Sequence, residues 1–211
     1  GLSSLESAVG DVDISTNAAL TNIDSLSNLK SVDNLSFFHN LKLTTIGNLS
    51  SLESVGGFLR IADNVALINL DLTSLVSVGH YLQIQSNYAL TNLDGLDSLE
   101  SIGGYLYVSH NTALTSLAGL ASLGSIGGYV YIHLNNALSS LNLPNLTTIS
   151  SYLTIGDNPA LTSLELSNLA TVGGSLTLIN NATLCQSLVD AFVTDTTVSG
   201  SVSTSGNKDD C

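Results

Sequence analysis

Residues 102–114 read IGGYLYVSHNTAL, and residues 126–138 repeat the phrase as IGGYVYIHLNNAL. In each, two apolar residues alternate with their neighbours (Leu106 and Val108, Val130 and Ile132), the period of a strand buried on one face. Working outward, the phrase recurs along the chain. Aligned on its Asn it gives Asn17, Asn40, Asn64, Asn87, Asn111, Asn135, Asn158 and Asn181, spaced by 23 or 24 residues. Three residues earlier stand Ile14, Phe37, Ile61, Ile84, Val108, Ile132, Ile155 and Leu178. Two before those stand Val12, Leu35, Leu59, Leu82, Leu106, Val130, Leu153 and Leu176. Leu occupies the third position after the Asn in all eight copies, from Leu20 to Leu184. A β-branched column runs Val9, Val32, Val55, Val78, Ile102, Ile126, Ile149 and Val172.

One such strand cannot bury its apolar face alone, so the copies must stack. Rungs about 4.8 Å apart build a parallel sheet over a continuous core of Leu, Ile and Val. The L-x-x-L steps carry the chain round the other sides of each coil. Gly pairs such as Gly103-Gly104 and Gly127-Gly128 stand just before the strand, where a corner calls for permissive backbone. The Asn column is expected to turn inward and satisfy backbone groups at the opposite corner. The predicted fold is a β-rich repeat solenoid, a parallel β-helix of about nine 23–24-residue turns.

The end of the chain departs from the repeat. Leu184, Leu188 and Phe192 fall at helical spacing, which predicts a short amphipathic helix over 184–192 covering the open end of the core. Val202 and Asn207 then restore the strand phrase as a ninth rung over 201–207. Residues 1–181 thus read as solenoid and 182–211 as a cap of the same domain. Cys185 and Cys211 flank the cap and are the two cysteines of the chain. Bridged, they close a loop worth about 3.5 kcal/mol in the chain-entropy model and point to an oxidising compartment. The alternative is two free buried thiols.

Composition narrows the function. Charged residues are 10% of the chain, against about 25% in an average globular protein, and 17 acidic residues face 4 Lys and Arg. So few cations cannot neutralise nucleic-acid phosphates or an anionic membrane. No apolar run reaches the roughly 18 residues of a spanning helix, so no membrane insertion is expected. The chain opens in mid-pattern at Gly1-Leu2 without a signal peptide, as a mature or trimmed fragment would. With no comparable cap at this end, end-to-end self-association, or upstream residues covering Val12 and Ile14, is expected.

The L-x-I-x-x-N-x-x-L run resembles the leucine-rich repeat signature. The fuller phrase Ile102-Gly-Gly-Tyr-Leu-Tyr-Val-Ser-His-Asn111 is more similar to the receptor L domain, over nearly the whole chain. That resemblance implies a right-handed solenoid, an extracellular or cell-surface setting, and a binding or structural role without catalysis or cofactor. Receptor L domains usually carry more cysteines and fewer, less even turns. The residues carrying the resemblance belong to the core, so it transfers no functional residue.

Function must then sit in the outward columns. Six residues before the Asn stand Phe58, Tyr81, Tyr105, Tyr129 and Tyr152, and four before it stand Arg60, Gln83, Tyr107, Tyr131 and Thr154. Six of the seven tyrosines lie in these two columns. Such a ladder offers rigid amphipathic area for a protein or carbohydrate ligand; the alternative is that stacked aromatics only stabilise the sheet. A second column, Thr21, Thr44, Ile68, Thr91, Thr115, Ser139 and Thr162, offers a hydroxyl array of the ice-binding kind, broken at Ile68. A purely structural surface spacer is the third reading. Asp71 and Asp94 on adjacent rungs have the spacing of a carboxylate pair or a weak calcium site, with a solvated acidic edge as the plain alternative. His39 and His110 share a column about 14 Å apart, too far to share a metal, and His110 and His133 fall in different columns. Asn34, Asn48, Asn145 and Asn181 match glycosylation sequons.

Overall fold

The computed structural model describes residues 2–47, 49–209 and 211, which leaves Asn48 outside the described residues. The chain winds as a parallel β-solenoid of nine coils, with one strand of each coil on a wide face. In order these are Ser7–Ser15, Ser31–Phe38, Leu59–Ala62, Leu82–Gln85, Leu106–Ser109, Val130–His133, Leu153–Gly156, Leu176–Ile179 and Val202–Ser205. Neighbours pair in the register of the sequence repeat: Leu106 lies beside Val130, Tyr107 beside Tyr131, Val108 beside Ile132. Two-residue strands from Ser54–Val55 to Thr197–Val198 continue a narrower second side, which the first two long strands also reach. Alternation does the sorting, because Leu106 and Val108 are buried while Tyr107 between them stays partly exposed.

The core is one continuous stack of Leu, Ile and Val, with Phe37 its largest member. Val9 does not belong to it. It is 98% exposed, because the first strand bulges between Ala8 and Asp11 and Ala8, not Val9, pairs with Val32. Gly10 supplies the bulge with a φ of +97°, a conformation side chains other than glycine's rarely adopt.

The Asn column turns inward. The Asn111 Oδ1 accepts the Asn87 backbone N–H at 3.1 Å, and its Nδ2 donates to the Ile84 carbonyl at 2.9 Å and to the Asn135 Oδ1 at 3.3 Å. The same pattern runs from Asn17 to Asn207. Asn40 through Asn181 are wholly buried. The ladder thus supplies the corner's backbone groups with partners that water cannot reach.

The residue before each Asn is left-handed. Thr16, His39, Asp63, Ser86, His110, Leu134, Asp157 and Asn180 all have φ between 51° and 59°. This turn aims each Asn inward, and residues with short polar side chains or imidazole tolerate it best. Leu134 is the exception in kind. The Gly103 and Gly127 positions have another cause than corner flexibility. Neither has a positive φ, but a Cβ on Gly127 would collide with the Gly103 carbonyl, and one on Gly103 with that of Gly79. Close rung-to-rung approach, not backbone permissiveness, excludes a side chain there.

The two ends differ. The C-terminal helix spans Gln186–Asp195 rather than 184–192, because Leu184 completes the Leu column as a fully buried residue. The last strand, Val202–Ser205, is shorter than 201–207. A disulfide joins Cys185 to Cys211. Gln186 at the start of the helix closes the Asn ladder: its Oε1 accepts from the Asn207 Nδ2 at 3.1 Å, where another rung's Asn would stand. At the other end Leu5, Val12 and Ile14 are partly buried and packed against the core.

Candidate binding face

The outward side chains of the wide face follow from the strand alternation. The column that starts at Phe58 forms a continuous stack. Its ring centroids lie 5.0 Å apart for Phe58 and Tyr81, 4.6 Å for Tyr81 and Tyr105, and 4.5 Å for each of the next two pairs, ending at Tyr152. Planes of successive rings tilt by 7° or less. Tyr107 and Tyr131 stack beside it at 4.9 Å, and His133 extends that group at 5.3 Å from Tyr131. All seven aromatic residues expected at the face are therefore brought together, in two adjoining columns.

The stacking decides what the face can do. Tyr81, Tyr105 and Tyr129 have both ring faces covered by neighbours, so the ridge presents ring edges and hydroxyls. Partial burial disfavours the phenolates. It pushes the Tyr129 hydroxyl up to about 12, with the neighbouring Tyr105 and Tyr152 adding to the shift. Burial raises Tyr105 and Tyr131 in the same direction. These phenols remain neutral hydrogen-bonding groups well above neutral pH. Tyr88 stands apart from the columns, exposed on a turn.

Two features of the face were not evident from sequence. The His133 Nε2 lies 2.6 Å from the Asp157 Oδ2, an ion pair when the imidazole is protonated. Asp157 is further held by the Asn180 Nδ2 at 3.1 Å. Arg60 sits with its guanidinium carbon 4.0 Å above the Phe38 ring, a cation–π arrangement. Adjacent-column neighbours such as 133 and 157 are visible once the repeat is folded into a lattice, but the side-chain directions that join them are not.

The other columns have plainer roles. The Thr115 Oγ1 donates to the Thr91 carbonyl at 3.0 Å, Ser139 to Thr115 at 3.1 Å, and Thr162 to Ser139 at 3.1 Å. These hydroxyls brace one turn on the next. Asp71 and Asp94 border an open depression of about 250 Å³ with Asn69, Thr73 and Gly95. Among the described residues no group of three or more His, Cys, Asp or Glu is placed to hold a metal. Of the sequon residues, Asn181 is wholly buried. Asn34 is engaged with Asp11 and the Phe58 backbone, and Asn145 donates to the Ala121 carbonyl. Among the described residues, no helix is long and apolar enough to cross a membrane.

No curated protein and no solved structure matches the chain. A family profile does: that of the receptor L domain matches residues 74–192, more than half of the 211 residues. The matched span carries five of the nine wide-face strands, from Leu82–Gln85 to Leu176–Ile179, together with most of the aromatic columns. A parallel solenoid of even coils with a C-terminal helix is in keeping with that match, and the chain belongs to the receptor L-domain family, whose members are extracellular modules that bind ligands.

Proposed function

We propose that this protein is an extracellular binding module that recognises a protein ligand through the aromatic ridge of its wide face, centred on Tyr105, Tyr107, Tyr129 and Tyr131. The observation that carries the reading is the concentration of six of seven tyrosines in two stacked columns of one face. Stacked rings are already ordered, so binding costs little side-chain entropy. Their edges supply apolar contact and their hydroxyls supply hydrogen bonds at the rim. Because the inner ring faces are covered, the ridge suits a partner's side chains better than the flat face of a sugar. A formal net charge of −13 favours a basic partner, whose association would slow as salt rises. Family membership and the disulfide both support an extracellular setting. Ice binding through the Thr column is disfavoured, since its hydroxyls are directed at backbone carbonyls of the preceding rung.

The test is site-directed photo-crosslinking with a benzophenone amino acid at 107 or 131, against the same probe at 115 or 139. The expected result is a discrete crosslinked protein from the face positions, suppressed by excess unlabelled wild-type protein. Equal crosslinking from both sets, or none from the face, contradicts the reading.

A further inference from the structure

The aromatic column ends at Phe58, and its end is built differently from its middle. One face of the Phe58 ring stacks on Tyr81 at 5.0 Å. On the other side the column continues with Asn34 and Asp11, which carry no rings. A cavity of about 180 Å³ opens there, walled by Phe58, Arg60, Asn34, Ser36, Asp11 and Asp13. Phe58 thus turns a flat apolar surface toward a ring of polar groups.

Those polar groups are fixed and incompletely used. The Asn34 Oδ1 accepts the Phe58 backbone N–H at 2.9 Å, and its Nδ2 donates to the Asp11 Oδ1 at 2.7 Å, which orients both side chains. The Asp13 Oδ2 accepts from the Ser15 hydroxyl at 3.2 Å. Arg60 lines the same cavity with its guanidinium resting on the Phe38 ring, and among the described residues it makes no salt bridge. Its Nε is shielded from solvent and has no hydrogen-bond partner. The enclosed Nε is out of a ligand's reach, so a ligand in the cavity would accept from the terminal guanidinium nitrogens.

From this geometry we infer a second binding site, specific for a neutral saccharide unit, at the Phe58 end of the wide face. An anion would meet Asp11 and Asp13, and a cation would meet Arg60. A sugar hydroxyl both donates and accepts, so one ligand can donate to the carboxylates and accept from the guanidinium. The C–H face of a pyranose carries partial positive charge and matches the negative face of the Phe58 ring. The cavity thus sets one aromatic ring among several polar side chains, a lining matched to a ligand with one apolar face and many hydroxyls. The site shares Phe58 with the end of the aromatic ridge but lies beyond its centre at Tyr105–Tyr131, and it does not depend on the reading of that centre as a protein-binding surface.

The experiment is saturation-transfer NMR on the full chain with the methyl glycosides of glucose, mannose, galactose and N-acetylglucosamine. At least one should bind in the millimolar range, with the strongest transfer to the C–H protons of one ring face. Phe58→Leu, which keeps apolar bulk but removes the ring, and Arg60→Ala should each weaken binding at least tenfold. Asp94→Asn, remote from the cavity, should leave it unchanged, and circular dichroism melts of every variant check that it folds. Absence of transfer from all four glycosides would overturn the inference. So would equal binding by wild type and folded Phe58→Leu, or binding of free amino acids in place of the glycosides. None of these outcomes touches crosslinking at 107 and 131, so the two readings fail separately.

Discussion

Two ladders run along this solenoid, and both repeat once per rung. The asparagine ladder lies inside a corner and extends from Asn17 to Asn207. The aromatic ladder lies on the wide face and covers five rungs, from Phe58 to Tyr152, with Asn34 before it and Ser175 after it. In the first, carboxamide oxygen and nitrogen are both taken up by neighbouring rungs and by buried carbonyls. In the second, stacking takes up the ring faces and leaves edges and hydroxyls to solvent. On the proposed function, the difference separates structure from recognition. A column that satisfies buried backbone cannot skip a rung without leaving orphaned groups, whereas a column built for contact can stop where the ligand stops.

The largest effect should come from breaking the inner ladder. Asn111→Ala orphans the Asn87 N–H in a dry corner and takes one partner each from the Asn87 Nδ2 and the Ile84 carbonyl. At about 1–3 kcal/mol for each buried group, the expected loss is about 4 kcal/mol in urea unfolding. A loss below about 1 kcal/mol would mean that water or a shifted neighbour replaces the carboxamide. Next comes the ladder's terminus. Opening the Cys185–Cys211 bridge removes the constraint on Gln186, the group that closes the ladder, at a cost of about 3.5 kcal/mol. Hydrogen exchange should then rise first in the last rungs. Identical exchange with and without reductant would separate the bridge from the ladder's stability.

How far this contrast is legible in sequence differs for the two ladders. The inner columns were readable because a 23–24-residue period fixes which residues share a corner, and burial then fixes their direction. The bulge that expels Val9 was not readable, since one inserted residue in a single rung leaves the apolar count unchanged. The left-handed column had a signal in its composition, with His39, Asp63, His110, Asp157 and Asn180 among its members. Gln186 as the ladder's last acceptor had none, because its role depends on where the helix begins in space. On the outer face the residues were readable but their stacking was not. Whether rings lie flat on the sheet or face to face depends on side-chain torsions set by neighbouring rungs, and that choice removes the ring faces from contact with a ligand.

Smaller effects sharpen the comparison. Leu134 holds the left-handed turn that aims Asn135 inward, with φ of 57°. Relief of that strain, partly offset by glycine's entropy, should make Leu134→Gly more stable by about 0.5–1 kcal/mol, read as a higher melting temperature. A lower one would show that the leucine's packing outweighs its backbone cost. The outer ladder should show itself in alkali. Burial first, then Tyr105, raise the Tyr129 hydroxyl from 10.0 to about 12. The folded state therefore holds this proton more tightly than the unfolded chain. Its stabilising contribution is complete below pH 10 and disappears as pH climbs towards 12. Ultraviolet titration should show a late phenolate step that Tyr129→Phe removes; an unchanged curve would mean the stack is open to water.

The central claim is that the outer ladder exists for contact and not for stability. Its most direct test is the dissociation constant of the crosslinked partner for wild type and for Tyr107→Ser with Tyr131→Ser, measured beside the unfolding free energy of each. An affinity loss of about 2–4 kcal/mol is expected for two interface anchors. The expected stability loss is about 1 kcal/mol, the scale of one stacked pair. Unchanged affinity together with a stability loss of several kcal/mol would make the aromatic ladder a structural column like the asparagines, and would contradict the account.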